Sequence, residues 1–492
     1  MGSLKRTEKR NVIIVNIIIA AVLLLFFVTI CPLVPYDADG WIYIGNLRVP
    51  LPHGNTMSPA RVLPESLMPL CGYISGYLVY PFVGDYLYSI TLTSAIIISG
   101  FILVMCICFL WFVHRRFKVS INVSLLYEVL FLIFFWAIFR NRGNSRYMFY
   151  ADNMCCTFFY TISGIVNAIA VLVMMGHEDF QEAFTKFSGL KKSLFITLIY
   201  FTVFSNIYHS ETLAIYCGVI LLNGILKMLK EKAFVIKEYA KTYWLYLSIL
   251  LLWFVAAFME MSGDRAGMVA SGSALSFETP LRQLYAMLQA IADPFMIVFL
   301  LALGWILYCI LWKKGKEGRM YFSVLVNTAI LTIYLILLGA IIPYVSRIEA
   351  SWNLWFYVIL ITMIGIISFV TRFKHLKVLL IPAVLISFVA TIYPDGRFMM
   401  SNLDHSDYET CVNVGNYMID QIVEADNMGE TYVEVHAPIY TDEKLMWAYE
   451  GNFAQNVANA LYNHGIIRNK IEVKTISDPD LFEELRKIKI EE

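Results

Sequence analysis

"NVIIVNIIIAAVLLLFFVTICPLVPYDADGW", residues 11–41, decides the class of this chain. Its first part is apolar over about 20 residues, the length a helix needs to cross the hydrocarbon of a bilayer. The chain then leaves that environment and at once presents two acids, Asp37 and Asp39, among aromatic side chains. Apolar runs of similar length fall at 11–31, 87–113, 120–140, 153–175, 192–208, 210–229, 242–260, 290–312, 320–342, 353–371 and 376–393. These predict a polytopic membrane protein with about eleven helices, of which the fifth and sixth are short and nearly fused. Composition agrees: 59% of the 492 residues are hydrophobic and 15% are charged, where a soluble domain carries about a quarter charged. Mean hydropathy is +0.64. The first run is long enough to span and no small-residue cleavage site follows it, so a cleaved signal is not expected.

Most of the nine cysteines lie inside apolar runs, where cysteine acts as a small hydrophobe. None has the spacing of a zinc or redox motif, so neither a disulfide framework nor a structural metal is expected. Residues 62–83, "VLPESLMPLCGYISGYLVYPFV", are apolar but interrupted by Pro64, Pro69, Gly72, Gly76 and Pro81. The prolines remove backbone donors, which predicts a surface or re-entrant helix inside a first outer loop, 32–86, and not a straight span.

Lysine and arginine mark the inner side of a membrane protein. With the N-terminus inside, the inner segments carry 22 of them, in "KRTEKR", "HRRFK", 176–192, "KMLKEKAFVIKEYAK", "KKGKEGR" and "RFKHLK". The opposite loops carry eight, all arginine: Arg48, Arg61, Arg140, Arg142, Arg146, Arg265, Arg282 and Arg347. An odd number of spans then places 394–492 outside, as a domain separate from the membrane region 1–393. This tail is polar and reads as a helix at 406–425, a β-like run "TYVEVHAPI", a helical "NFAQNVANALYNHGI" and a second β-like run "KIEVKTI". That order predicts a small α/β domain.

The outer loops hold the candidate chemistry. Arginine without lysine points to a planar fork that grips phosphate or carboxylate, although each arginine could equally be solvated or paired. "DADGW" sets Asp37 and Asp39 at alternate positions, so an extended backbone would aim both the same way. Trp41 and Tyr43 would then raise a carboxyl pKa toward that of a general base; a helix end followed by a turn is the plainer reading. "SPARVLPE" places Arg61 and Glu65 at helical spacing, as an ion pair or a ligand contact. "YHSETLAIY" brings His209 and Glu211 to membrane depth, where ionisable groups are costly, unless this is a polar turn between spans. "MEMSGDRAGM" offers Asp264 and Arg265 beside glycines that would let backbone amides approach a phosphate. "SRIEASWNLW" supplies Arg347 and Glu349 next to Trp352 and Trp355, two expected interfacial anchors. Glu128 lies mid-run, where an intramembrane acid is a functional candidate that could relay charge; a hydrogen bond to a polar side chain on another helix is the plainer expectation. The "RNRGNSR" loop could face lipid headgroups.

"DADGW" after the first span, "ARVLPESL" in the same loop, "YHSETLAIY", "SGDRAGM" and "SRIEASW" follow one another as in a known architecture. In that order, with a surface helix and an outer C-terminal domain, the chain resembles the GT-C superfamily of polytopic glycosyltransferases. Within it, it is similar to bacterial O-antigen glucosyltransferase-like proteins. The resemblance implies an all-α polytopic membrane domain with a small extracytoplasmic α/β domain, in a bacterial cytoplasmic membrane. It implies transfer of a sugar from a polyprenyl-phosphate donor to a cell-envelope glycan or glycolipid at the outer face, with membrane lipids as surroundings and no nucleic acid. A first-loop carboxylate would be the base: Asp39 matches best by position and Asp37 is second, since glycine follows Asp39 where relatives often have another acid. Arg265, Arg347 and Arg61 would hold the donor phosphate. His209, Glu211, Asp264 and Glu349 would lie near sugar or acceptor. No cofactor is required, although the acids could hold Mg or Mn. A lipid-linked donor needs no nucleotide-binding domain, and no Rossmann glycine fingerprint is present. The competing expectation is a transporter or flippase of a lipid-linked or anionic solute, with the short fifth and sixth spans as broken helices. A ligase or polymerase using the same lipid donor is a third, against which stands the lack of a large outer loop between spans.

Overall fold

In the computed structural model, residues 5–53, 57–139, 146–232, 235–267, 275–312, 316–342, 347–392, 398, 407–438 and 452–486 are described. Among them, nine helices are long and apolar enough to cross a membrane. They are α1 (Arg6–Ile30), α3 (Val62–Val83), α4 (Tyr86–Arg116), α6 (Met154–Met175), α8 (Ile207–Lys230), α9 (Trp244–Met261), α10 (Asp293–Trp312), α11 (Gly318–Gly339) and α12 (Trp352–Arg372). Between them lie the short α2 (Ala38–Gly45), α5 (Ile121–Ala137), α7 (Gly189–Val203) and, at the end, α13 (Leu380–Ile392). The expected count of eleven therefore meets nine helices of sufficient length. Three expected spans, α5, α7 and α13, are shorter, at 17, 15 and 13 residues. The ninth long helix is α3, the proline-interrupted segment.

Helix starts are set by side-chain caps that the sequence supplies at the right places. Asp85 accepts the Tyr88 amide at 2.8 Å, Asn153 accepts that of Cys156 at 2.7 Å, and Asn206 accepts that of Tyr208 at 3.1 Å. α6 and α12 form the centre of the bundle, with 94% and 78% of their most apolar stretch buried, against 22% in α9 and α10. Apolar residues thus fill both the core and the outer face, as a lipid-solvated bundle requires. Trp352 and Trp355 are 0% and 1% exposed. They are core residues of α12 and not the interfacial anchors expected, because a helix at the bundle centre has no lipid-facing side.

Contacts at the helix ends order the bundle. Thr91 at the start of α4 donates to Leu33 O just past α1, at 2.9 Å. Ala292 N, ahead of α10, donates to Ile138 O at the end of α5 (2.9 Å), and Tyr334 OH near the end of α11 reaches Ile207 O at the start of α8 (3.2 Å). Asn206 Nδ2 bonds Phe159 O in α6, and Asn353 Nδ2 of α12 bonds His209 O, at 3.1 and 3.0 Å. One end of the bundle therefore gathers the starts of α4, α6, α8, α10 and α12 with the finishes of α1, α5, α7, α9 and α11.

Both ends of α3 meet that same end of the bundle. Leu63 N donates to Phe204 O just past α7 at 2.9 Å, and Val83 lies three residues before the start of α4. The helix is kept continuous by a π-turn over Ser75–Val79, ahead of Pro81, which has no amide to donate.

The C-terminal unit contains α14 (Tyr408–Met428), β1 (Tyr432–Ala437), α15 (Phe453–Asn463) and β2 (Glu472–Ser477). The strands pair in parallel from Tyr432↔Glu472 to Ala437↔Ser477, with α15 in the connection between them, as parallel neighbours require. This is the strand–helix–strand order read from the sequence. Tyr408 OH lies 2.8 Å from Thr91 Oγ1, so the unit sits on the end of the bundle described above.

Candidate functional site

Asp37 and Asp39 do not project together. Asp37 is extended (φ −103°, ψ 171°) and is the N-cap of α2, its Oδ1 accepting the Gly40 amide at 2.6 Å. The helix then turns Asp39 away, so Asp37 is 8% exposed while Asp39 is exposed in the first turn. The extended-backbone expectation fails because an aspartate followed by three helix-compatible residues caps more favourably than it extends. Gly40 is required here: a Cβ would stand 2.8 Å from Asp37 Oδ1. Asp37 Oδ2 accepts from Asn153 Nδ2 at 2.7 Å, and Asn153 is itself the cap of α6. Burial, with a smaller push from Asp39, lifts the Asp37 carboxyl to about 6, opposed by the Gly40 and Asn153 donors.

Arg61 does not pair with Glu65. Arg61 Nε meets Glu260 Oε1 at the end of α9 at 2.9 Å, while Glu65 is bound by Arg48, whose guanidinium also donates to Ser58 O and Pro59 O. The loop 57–65 is joined to 260–265 along its length: Ala60 N donates to Glu260 Oε2 (3.2 Å) and Arg265 N to Met57 O (3.2 Å). Gly263 allows this approach, since a Cβ would lie 2.5 Å from Pro59 Cδ. The Arg265 amide is thus used internally, and Asp264 is exposed. Arg61 and Glu260 also line a small, half-open pocket with Ser205 and Ser210.

Arg347 stands 3.5 Å from Asp152, 4.0 Å from Glu349 and 3.6 Å from Cys156 Sγ. Glu349 is 1% exposed. Burial, then the Asp152 charge, lift its carboxyl to about 8, opposed by Arg347 and Arg146. The His209 ring packs against the Glu349 backbone and edge-on to Tyr160, centroids 6.2 Å apart. Glu211 is buried two residues further along α8, 3.3 Å from Thr212 Oγ1. These stretches meet: the Tyr160 hydroxyl is within electrostatic reach of Arg61, Arg265 and Arg347, and Cys155 is within reach of Asp37, Asp39 and Arg265. Asp152, Asn153, Tyr160 and Glu260 were not singled out from sequence. An Asx pair just ahead of an apolar run is a cap signal that could have flagged the first two.

Asp152, Cys156 and Glu349 bring ligand atoms within 4.8 Å of one another. This set suits Mg²⁺ or Mn²⁺ poorly, because those ions prefer an all-oxygen octahedron and the Arg347 guanidinium already supplies the countercharge. Glu128 is buried in α5, and among the described residues neither carboxyl oxygen has a hydrogen-bond partner, contrary to expectation. In the "RNRGNSR" loop, Arg140 and Arg142 lie outside the described residues. Comparison with protein-family models, curated proteins and solved structures finds no match to this chain.

Proposed function

We propose that the chain is a GT-C-like glycosyltransferase of a bacterial cytoplasmic membrane, with eleven crossings and α3 lying along the outer surface. It transfers a sugar from a polyprenyl-phosphate donor to an envelope glycan or glycolipid. The observation that carries this reading is convergence on the first turns of α6: guanidiniums of Arg61, Arg265 and Arg347 from distant loops lie within electrostatic reach of Tyr160, and the carboxylates of Asp37 and Asp39 within reach of Cys155. Asp39, exposed, is the base that takes the acceptor's proton. Asp37 holds the start of α2 in place through its bonds to Gly40 and Asn153. Displacing a prenyl phosphate at the anomeric carbon builds negative charge on the leaving oxygen, which Arg347 and Arg265 are placed to stabilise. Arg61 is the weaker candidate, its charge already answered by Glu260. Glu349, carrying its proton at neutral pH, is suited to donate a hydrogen bond to the sugar.

The test is sugar transfer from a polyprenyl-phosphate donor in proteoliposomes, with Asp37→Asn and Asp39→Asn singly and together. Loss of a general base costs about 10²–10⁴ in rate. Wild-type turnover in the double variant rejects the mechanism. Glu211 Oε2 and both Glu128 carboxyl oxygens, buried without hydrogen-bond partners among the described residues, favour the flippase reading. Solute flux into vesicles with no covalent product would establish that reading instead.

A further inference from the structure

The C-terminal unit grips the helix that carries the two acids. Asn463, the last residue of α15, donates from Nδ2 to Gly45 O at 2.9 Å, which caps the carbonyl end of α2. The two helices touch closely, since a Cβ on Gly45 would lie 3.1 Å from Ala460 Cα. His464 follows and is fully buried. Its Nδ1 lies 2.6 Å from Tyr86 OH at the start of α4, and its ring meets the edge of Tyr73, centroids 5.1 Å apart. Gly72 and Gly76, one turn apart on α3, form the hole that receives it: a Cβ at Gly72 would stand 2.3 Å from His464 Cε1, and one at Gly76 2.4 Å from His464 O. The Gly72 position also borders Ile44 of α2, at 2.9 Å. Gly465, with φ +73°, turns the chain away directly afterwards. Burial holds the His464 ring pKa down to about 4, so the ring is neutral and its bond to Tyr86 is an uncharged one.

We infer that Asn463 and His464 are positioning residues, through which the C-terminal unit fixes α2, and with it Asp37 and Asp39, against α3 and α4. The catalytic part of this role rests on the glycosyltransferase reading; the mechanical part does not. Among the described residues, α15 meets α2 through Asn463 and Ala460, and this is the route by which it acts on the site. A displacement of about 1 Å costs on the order of a hundredfold in rate, so loss of the grip lowers kcat and leaves the donor KM, set by the arginines, unchanged.

The experiment compares wild type, His464→Ala, His464→Asn and Asn463→Ala in detergent, by backbone amide exchange over residues 38–45 and by sugar transfer. Expected is faster exchange of 38–45 in His464→Ala and Asn463→Ala, with kcat down by on the order of a hundredfold at constant KM. His464→Asn, which keeps an acceptor for Tyr86 OH, restores both. Should His464→Ala fail to fold, Asn463→Ala carries the same readouts. Unchanged exchange at 38–45 in both alanine variants overturns the inference, whether or not 453–463 loosens. A wild type inactive in transfer rejects the enzymatic reading alone, because the exchange arm is still decisive for the grip.

Discussion

Replacing Asp37 by Asn separates the stability of this site from its activity. A carboxyl held at about 6 against an ordinary 3.8 is disfavoured in its charged form by about 3 kcal/mol. The direction follows from proton counting: between those values the folded chain binds more protons than the unfolded one. Stability is therefore full below pH 3.8 and falls as pH rises to about 6, where the whole penalty is present. Asparagine mimics the protonated acid and removes the penalty. It also sets an NH₂ against the Asn153 NH₂. Whichever amide turns over, either α2 or α6 loses its cap acceptor, at about 1 kcal/mol. Asp37→Asn is thus expected to be more stable than wild type at pH 7 by about 2 kcal/mol, the difference between these two estimates. That is a rise of a few degrees in Tm, with transfer activity reduced. Thermal unfolding followed by tryptophan fluorescence in detergent, from pH 3.5 to 8, measures it. The wild-type curve should decline through the window and the variant's should not. A variant less stable than wild type by a constant amount at every pH would show that Asp37 is hydrated and that burial does not set its proton affinity.

Arg347→Ala should lower kcat by about 10²–10³, the usual loss for one transition-state charge stabiliser, as measured by steady-state transfer kinetics. Arg61→Ala leaves Glu260 buried and uncompensated and should destabilise by about 3–5 kcal/mol. The pair Arg61→Met with Glu260→Leu should lose far less, which denaturation of the two variants side by side will check. Glu128→Leu removes a buried carboxyl with no hydrogen-bond partner among the described residues and should raise Tm without changing transfer; a loss of solute flux in that variant would speak for the flippase reading.

The bundle was legible because a bilayer imposes its thickness on sequence: the long apolar runs, the proline-broken 62–83 and the strand–helix–strand tail all reappear. α5, α7 and α13 fell short of their apolar runs. The run 192–208, for example, includes Phe204–Asn206, where the helix stops and the next begins. Pairing was much less legible. Arg61 and Glu65 sit at the spacing of a helical ion pair, but Arg61 lies just ahead of the first turn and Glu260, 199 residues away, reaches it first. Glu260 in "FMEMSGD" and Tyr160 in "TFFYT" carry no local signal that sets them apart. Their places depend on which helices become neighbours, and local periodicity does not encode that. Asp39 ranked ahead of Asp37 by position alone, and the cap on Gly40 is what distinguishes their structural roles.

Asn153 spends one end of its amide on the first turn of α6 and the other on the carboxylate that opens α2. Two pieces of chain that are 116 residues apart are thereby coupled like links on a shared pin. Any tilt of α6 is therefore passed to Asp37, so the placement of Tyr160 and the placement of that acid are coupled.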